Sequence, residues 1–302
     1  MIVVAGPTAS GKSELAAALA ERLGGEVVGA DSRQVYRLLD AATAKPAPEL
    51  RARAVHHLVD SADPAETYDA ARYAREASAA IADVRARGRL AIVCGGTGLY
   101  LRALIEGLSP LPPRDPALRT ELAARAAREG RAALHAELAA VDPAAAAAIP
   151  PGNLARAIRA LEIARLTGRP ASAHWAEGRS GGIRPDAVLI LEVPTPALDA
   201  RIAARARAMW PALLAEVRAL VPARFTGAEP GFTSVGYREA LAVLRGEASA
   251  DEGLAATILA TRAYAKRQRT WLRTQLKGVS IDAGGDAART LSLALAALEA
   301  NA

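Results

Sequence analysis

Among 302 residues there is one cysteine, Cys94, which excludes an internal disulfide framework and any cysteine-based zinc site. At a strand end, Cys94 reads as a small buried hydrophobe. Lysine is nearly as scarce. Only Lys12, Lys45, Lys266 and Lys277 occur, and the rest of the 38 basic residues are arginine. Where lysine survives so strong an arginine bias, a compact ammonium is needed rather than a planar fork. No apolar run is long enough to span a bilayer. The first, Ile2-Val3-Val4-Ala5, is strand-length and leads straight into a glycine-rich loop. That leaves no room for a signal peptide, and the cytoplasm is the expected compartment. No segment has a disordered composition, and no internal repeat is present.

What is present suits a large folded domain. Half of the residues (51%) are hydrophobic, and the length fits one α/β domain with a substantial insertion, or two domains. The formal charge of +6, with a pI near 9.8, favours a polyanionic partner.

Ile2 to Ala5 has the pattern of a strand buried on both faces of a parallel sheet. A helix is expected from Ser13 to Leu23, a second strand from Glu26 to Ala30 delivering Asp31-Ser32, and a helix from Tyr68 to Arg87. A third strand, Leu90 to Cys94, runs into Gly95-Gly96-Thr97-Gly98. This alternation implies a parallel, right-handed α/β sheet. From Asp115 the pattern turns helical (Leu118 to Glu129, Arg131 to Val141, Leu154 to Thr167) with no strand between. Strand character returns at Val188 to Val193, followed by helices at Leu198 to Leu220 and Leu254 to Leu276. The fold expected is α/β, a P-loop NTPase-like parallel sheet flanked by helices, with residues 1–114 and 183–302 as core. Residues 115–182 form an α-helical insertion domain.

The motif Gly6-Pro7-Thr8-Ala9-Ser10-Gly11-Lys12-Ser13 fits a phosphate-binding loop between strand and helix. Its backbone N–H groups and the helix N-terminus make a concave anion site. Lys12 adds a point charge, and Ser13 can ligate Mg²⁺. The loop alone implies a bound di- or triphosphate. Nucleotide hydrolases need an acid at the end of a later strand to hold the metal, but the third strand ends in Cys94-Gly95-Gly96-Thr97. The nearest strand-end acid is Asp31, where small-molecule phosphotransferases keep a carboxylate that meets the acceptor. Asp31 is therefore a candidate general base, and equally a candidate helix cap.

Between Thr261 and Lys277 lie Arg262, Lys266, Arg267, Arg269, Arg273 and Lys277, with no acidic residue. Arg262, Lys266, Arg269 and Arg273 fall at i, i+4, i+7 and i+11, one stripe of a helix. Such a stripe repels itself unless phosphates lie against it, and Tyr264 and Trp271 on a neighbouring face can stack on bases. The plainer reading is a solvated face with its aromatics in the core.

Several segments together resemble the bacterial tRNA dimethylallyltransferase family. Besides the loop they are Asp31-Ser32-Arg33-Gln34-Val35-Tyr36, Thr43-Ala44-Lys45-Pro46, His56-His57-Leu58-Val59-Asp60, Gly95-Gly96-Thr97-Gly98-Leu99-Tyr100 and Gly107-Leu108-Ser109-Pro110. Val235-Gly236-Tyr237-Arg238-Glu239 and Thr261-Arg262-Ala263-Tyr264-Ala265-Lys266-Arg267-Gln268 complete the set, which runs in family order over nearly the whole chain. The resemblance implies transfer of a dimethylallyl group from its diphosphate to N6 of adenosine 37 of tRNA. It implies that Asp31 accepts the N6 proton and that Thr8 to Ser13, Mg²⁺ and Arg205 hold the diphosphate, with Thr97 also at the site. It further implies tRNA contacts at Asp31, Ser32, Arg33 and Gln34, at Thr97 and Arg119, at Ala155, Arg156, Ala157, Ile158 and Arg159, and at Ser234, Val235, Gly236, Tyr237 and Arg238. To these the basic helix adds Arg262, Lys266, Arg267 and Arg269. The implied partners are the anticodon stem-loop and dimethylallyl diphosphate, and the protein acts as a monomer without a membrane.

The chain departs from the family pattern in two places. Ala42 stands where the family usually has glycine, and Pro211 falls in the helix from Leu198, which it is expected to break or kink. Competing functions are a P-loop kinase for a small metabolite, a nucleotide-switched RNA-binding protein, and a prenyltransferase acting on free adenine nucleotides. The first two leave the basic helix or the missing strand-end acid unexplained, and the third has no need of the insertion.

Overall fold

In a computed structural model, which describes residues 1–300, Ile2–Ala5 forms a fully buried strand, β1. The glycine-rich loop follows and enters helix α1 (Lys12–Leu23) through Gly11 at φ +88°. Next come β2 (Gly25–Ala30), α2 (Pro48–Arg53), β3 (His56–His57), α3 (Ala70–Ala86), β4 (Leu90–Gly95) and α4 (Gly98–Ile105). A short strand β5 (Gly107–Leu108) precedes α5 (Pro116–Glu129), α6 (Arg131–Val141), α7 (Pro143–Ala148), α8 (Leu154–Thr167), α9 (Ala171–Ala176) and β6 (Ser180–Gly181). The chain then makes β7 (Ala187–Glu192), α10 (Thr195–Leu220), α11 (Tyr237–Leu244), α12 (Ala250–Gln275), β8 (Val279–Asp282) and α13 (Ala287–Glu299).

Six strands form one parallel sheet in the order β3-β2-β4-β1-β7-β8. Successive residues of a strand face opposite sides. Ile2, Val4, Val27, Ile92 and Cys94 join one core cluster with Leu15 and Leu19 of α1. Their neighbours Val3, Val28 and Val93 face the other way and are equally buried. Burial on both faces is why these strands read as unbroken apolar runs. Because the sheet is parallel, the ends of β1, β2 and β4 bring the glycine-rich loop, Asp31 and Gly96-Thr97 to one rim.

Residues 1–105 with 183–302 form one compact unit, and 106–182 form another. The second unit begins at Glu106 rather than the expected 115, because Gly107 and Leu108 pair antiparallel with Gly181 and Ser180. Two-residue strands carry no period, so the pattern of the sequence missed them. The helices of this unit bury Leu122, Leu134, Leu138, Leu161 and Ile163 as a core of their own.

Helix α10 runs from Thr195 to Leu220 with Pro211 inside it, so of the expected break or kink the break does not occur. An interior proline costs about 3 kcal/mol. The helix buries Ile202, Ala206 and Trp210 before the proline and Leu213, Val217 and Leu220 after it, and that burial outweighs one lost hydrogen bond. Helix α12 begins with a capping box, in which the Ser249 hydroxyl accepts from the Glu252 N–H and the Glu252 carboxylate accepts from the Ser249 N–H.

Candidate functional site

The loop after β1 curls because Ala9 (φ +64°) and Gly11 both adopt left-handed backbone, the conformation that turns successive N–H groups to one side. Lys12 folds back so that its Nζ donates to the Pro7 carbonyl at 3.4 Å. Ser10 is buried with its hydroxyl unpartnered, and Gly6 packs so closely beneath it that a Cβ there would lie 2.6 Å from the Ser10 Oγ. Ser13 lies in the first turn of α1, and the Cys94 thiol donates to the Lys12 carbonyl just before it at 3.5 Å.

Around this loop a pocket of about 300 Å³ is lined by Thr8, Asp31, Arg33, Arg205, Tyr264 and Arg267 among others. Ser234, Val235 and Arg238 also contribute. Arg205 reaches it from α10 and donates to the Thr8 hydroxyl at 2.5 Å. Burial pushes the Lys12 ammonium below its ordinary pKa, and the opposing pull comes first from the Asp31 carboxylate. Burial lowers the Arg205 guanidinium too, and Asp31 again opposes it. One carboxylate therefore acts on two partly desolvated cations, of which Arg205 shares the pocket with it. Asp31 Oδ1 accepts the N–H groups of Arg33 (2.8 Å) and Gln34 (3.4 Å), which closes a turn. No helix starts between Asp31 and Pro48, so Asp31 is not the helix cap that was the alternative to a base. Thr97 sits beside this turn, its hydroxyl accepting the Ser32 N–H at 3.0 Å, and the Tyr264 phenol lies nearby. Burial, with Asp31 nearby, pushes that phenol up to about 12.

The acid-free stretch of α12 divides between two sides. Tyr264 and Arg267 turn to the pocket. Arg262, Lys266, Arg269 and Arg273 line a separate cleft of about 740 Å³ with Glu192 and Asp199. The expectation of a stripe without counter-charge needs correcting. Arg262 lies 3.8 Å from Asp199, and Arg269 donates to the Thr195 hydroxyl at 2.6 Å. The acids belong to β7 and α10, at least 63 residues away (262 − 199), where no local window could reveal them. Trp271 is not a free stacking platform, because a Cβ on Gly98 would overlap its ring.

In the second unit, Arg119 and Arg159 both pair with the fully buried carboxylate of Glu162, at 3.1 and 2.7 Å. Ala157 and Ile158 belong to the core, whereas Ala155 and Arg156 are exposed. Ser234 is buried, with its hydroxyl donating to the Gly231 carbonyl, and Gly236 caps α11 at φ +96°. Tyr237 is buried as well, and only Arg238 of that stretch is exposed. His57 pairs with Glu26 at 2.7 Å, and His56 Nδ1 with the Ala54 carbonyl at 2.8 Å, while His56 Nε2 is buried without a partner; both histidines lie on the edge strand β3.

Gln268 was not singled out from the sequence as a site residue. Its Oε1 accepts the Thr8 N–H at 2.8 Å and its Nε2 donates to the Gly96 carbonyl at 2.9 Å. It thus ties the phosphate loop to the end of β4 from within α12. One signal was available. Thr261, Ala265, Gln268 and Leu272 form the buried stripe of α12, and an amide in such a stripe needs partners for both of its ends.

A family model described as IPP transferase matches residues 34–275. The chain is 55% identical over 276 residues to a tRNA dimethylallyltransferase of Anaeromyxobacter dehalogenans (strain 2CP-C), covering 91% of this chain and 92% of that protein. It is 51% identical over 287 residues to a tRNA dimethylallyltransferase of Halorhodospira halophila (strain DSM 244 / SL1), covering 94% and 93%. Among solved structures it resembles the full-length tRNA isopentenylpyrophosphate transferase from Bacillus halodurans, with TM-score 0.72 and 34% identity over 99% of this chain and 97% of that one. It also resembles a eukaryotic dimethylallyltransferase acting on tRNA, with TM-score 0.80 and 28% identity over 94% and 73%.

Proposed function

The chain belongs to the IPP transferase family, and on that premise we propose that it transfers a dimethylallyl group from dimethylallyl diphosphate to N6 of adenosine 37 in tRNA. The observation that carries this reading is the meeting of Asp31 with Arg205 and Thr8 of the phosphate loop at one pocket, while β4 ends at Gly95 and leads into Gly96-Thr97 without a carboxylate. A site for ATP hydrolysis would want that acid; a site for a leaving diphosphate does not.

The chemistry follows from the charges. The adenine amino nitrogen is a weak nucleophile, so the C–O bond to diphosphate breaks with cationic character on the allylic carbon as the N6–C bond forms. Negative charge grows on the departing diphosphate, where Lys12, Arg205 and the loop N–H groups stabilise it. The N6 proton passes to Asp31, whose Oδ2 is the oxygen left for it once Oδ1 caps the turn. A positioned base of this kind contributes about 10²–10⁴ in rate. The adenosine leaves its stack at a cost of about a few kcal/mol, which contacts to the RNA backbone offset.

Among the described residues no cluster of three acidic, histidine or cysteine ligands could hold a metal by itself. The donor set instead fits Mg²⁺ carried in by the diphosphate, with the Ser13 hydroxyl as a protein ligand. When bound, the ion would neutralise part of the leaving group's charge. On the RNA side, Ser32, Arg33, Gln34, Ser234, Val235, Gly236, Tyr237 and Arg238 shape the acceptor entrance. Arg156 is the open contact of the insertion, Arg119 and Arg159 order its surface through Glu162, Arg262, Lys266 and Arg269 meet phosphates, and Arg267 meets the RNA from the pocket side. The enzyme is read as acting as a monomer. The compartment is the cytoplasm, where the tRNA pool lies. No helix among the described residues is long and apolar enough to cross a membrane.

The test incubates unmodified tRNA bearing A37 with labelled dimethylallyl diphosphate and Mg²⁺. Label should pass to tRNA, and Asp31→Ala and Lys12→Ala should each abolish it while circular dichroism stays unchanged. Turnover of ATP, or labelling of free AMP with none on tRNA, would overturn the reading in favour of a kinase or an adenylate prenyltransferase.

A further inference from the structure

One carboxylate outside the pocket holds together two of the segments that form it. Glu216 lies on α10 eleven residues beyond Arg205, which puts the two side chains on the same helix face roughly 16 Å apart. Its Oε2 accepts the consecutive N–H groups of Asp40 and Ala41, each at 3.0 Å. Its Oε1 accepts the Tyr237 phenol at 2.5 Å. The residues that follow Ala41, namely Ala42, Thr43 and Ala44, line the pocket on one side, and the residues just before Tyr237, together with Arg238, line it on another.

The two segments also touch directly. A Cβ on Gly236 would come within 3.0 Å of the Ala42 Cβ. Within the first segment, Gln34 donates to the Thr43 and Ala44 carbonyls (3.3 and 2.7 Å), and the Thr43 hydroxyl donates to the Leu39 carbonyl at 2.7 Å. The loop is thus tied from inside by Gln34 and from outside by Glu216. Burial and the adjacent Glu216 push the Tyr237 phenol well above its ordinary pKa, so it remains a donor. None of these bonds involves the phosphate loop.

We propose that Glu216 is a positioning residue for the acceptor side of the pocket: by gripping Asp40-Ala41 and Tyr237 together it sets the spacing between residues 42–44 and 233–238, and so the fit of the RNA nucleotide that enters. This rests on the transferase reading above for the identity of the acceptor. A hydrogen bond to a charged group contributes about 1.5–3 kcal/mol, and about 1.4 kcal/mol is tenfold in a rate or binding constant.

The experiment compares wild type with Glu216→Ala, Glu216→Gln and Tyr237→Phe. It uses an A37-bearing anticodon stem-loop and dimethylallyl diphosphate, with KM measured separately for each substrate and amide hydrogen exchange followed at residues 39–44. Glu216→Ala should raise the KM for RNA by about tenfold and speed exchange at Asp40 and Ala41, leaving the KM for the diphosphate within about twofold. Glu216→Gln keeps the volume and one acceptor oxygen and should fall between, as should Tyr237→Phe. The two milder variants carry the test if Glu216→Ala fails to fold. An unchanged KM for RNA, an equal rise in both KM values, or Glu216→Gln behaving as wild type would overturn the proposal. If wild type fails to modify RNA, the transferase reading falls, and exchange at Asp40 and Ala41 alone then decides whether Glu216 holds the loop.

Discussion

The two sides of α12 are built from the same run of residues and differ in what faces them. Tyr264 and Arg267 look into a small pocket where Asp31 and Arg205 already stand. Arg262, Lys266, Arg269 and Arg273 border a cleft more than twice as large, with Glu192 and Asp199 among its walls. The first arrangement concentrates opposite charges in a confined, partly desolvated space, where electrostatic interactions are strong. The second sets exposed cations beside two acids along a larger cleft, where each acts with salt-screened strength. On the proposed reading, chemistry belongs to the pocket side and attraction of a polyanion to the cleft side. Between them lies the buried stripe with Gln268, which fixes the helix to the phosphate loop.

The largest effect is expected where the two sides join. Gln268→Ala leaves the Thr8 N–H and the Gly96 carbonyl buried without partners, at about 1–3 kcal/mol each. The denaturation midpoint should drop clearly, and affinity for dimethylallyl diphosphate should fall with it. Gln268→Glu keeps the acceptor for Thr8 but brings a negative charge to the loop, so it should hurt diphosphate binding more than stability. Retention of wild-type stability and affinity in both variants would show that the amide bridge is not what holds the loop.

A smaller effect separates the two sides. Replacing Arg262, Lys266 and Arg273 together with alanine should weaken RNA binding and leave kcat within about twofold. For three lost phosphate contacts on a single strand, the slope of log affinity against log salt should decrease by about two. Arg267→Ala should lower kcat/KM with a smaller change in that slope. Equal salt slopes in the two variants would erase the distinction drawn between the sides.

The smallest concerns pH. Burial holds the Lys12 pKa below the ordinary lysine value, so its charge is lost earlier as pH rises. Diphosphate affinity should therefore fall on the alkaline side before an ordinary lysine would titrate, and isothermal titration across that range reads it directly. Lys12→Arg should flatten that limb, because guanidinium does not titrate there.

Much of the site was legible because it is local. The loop from Gly6 to Ser13 declares itself by glycine spacing between a buried strand and a helix, and Asp31 declares itself by ending an apolar run. In both, the residues that do the work are neighbours in sequence, and their placement at one rim follows from the parallel sheet that the alternating pattern predicts. The helical insertion was visible through its period, but its edge at Glu106 was not, since two paired residues leave no pattern.

What the sequence by itself determined was therefore the anion-binding turn, the acid beside it and the run of cations on one helix, all products of short-range backbone geometry and helical period. The tertiary structure alone decided which partners those groups meet. Arg205 reaches Thr8 across 197 residues of chain, Gln268 reaches it across 260, and Glu216 reaches Asp40 across 176. The carboxylates facing the basic stripe likewise come from other elements. Such contacts depend on the packing of α10 and α12 against each other and the sheet. Buried area fixes that packing over the whole unit, and no window of sequence contains it.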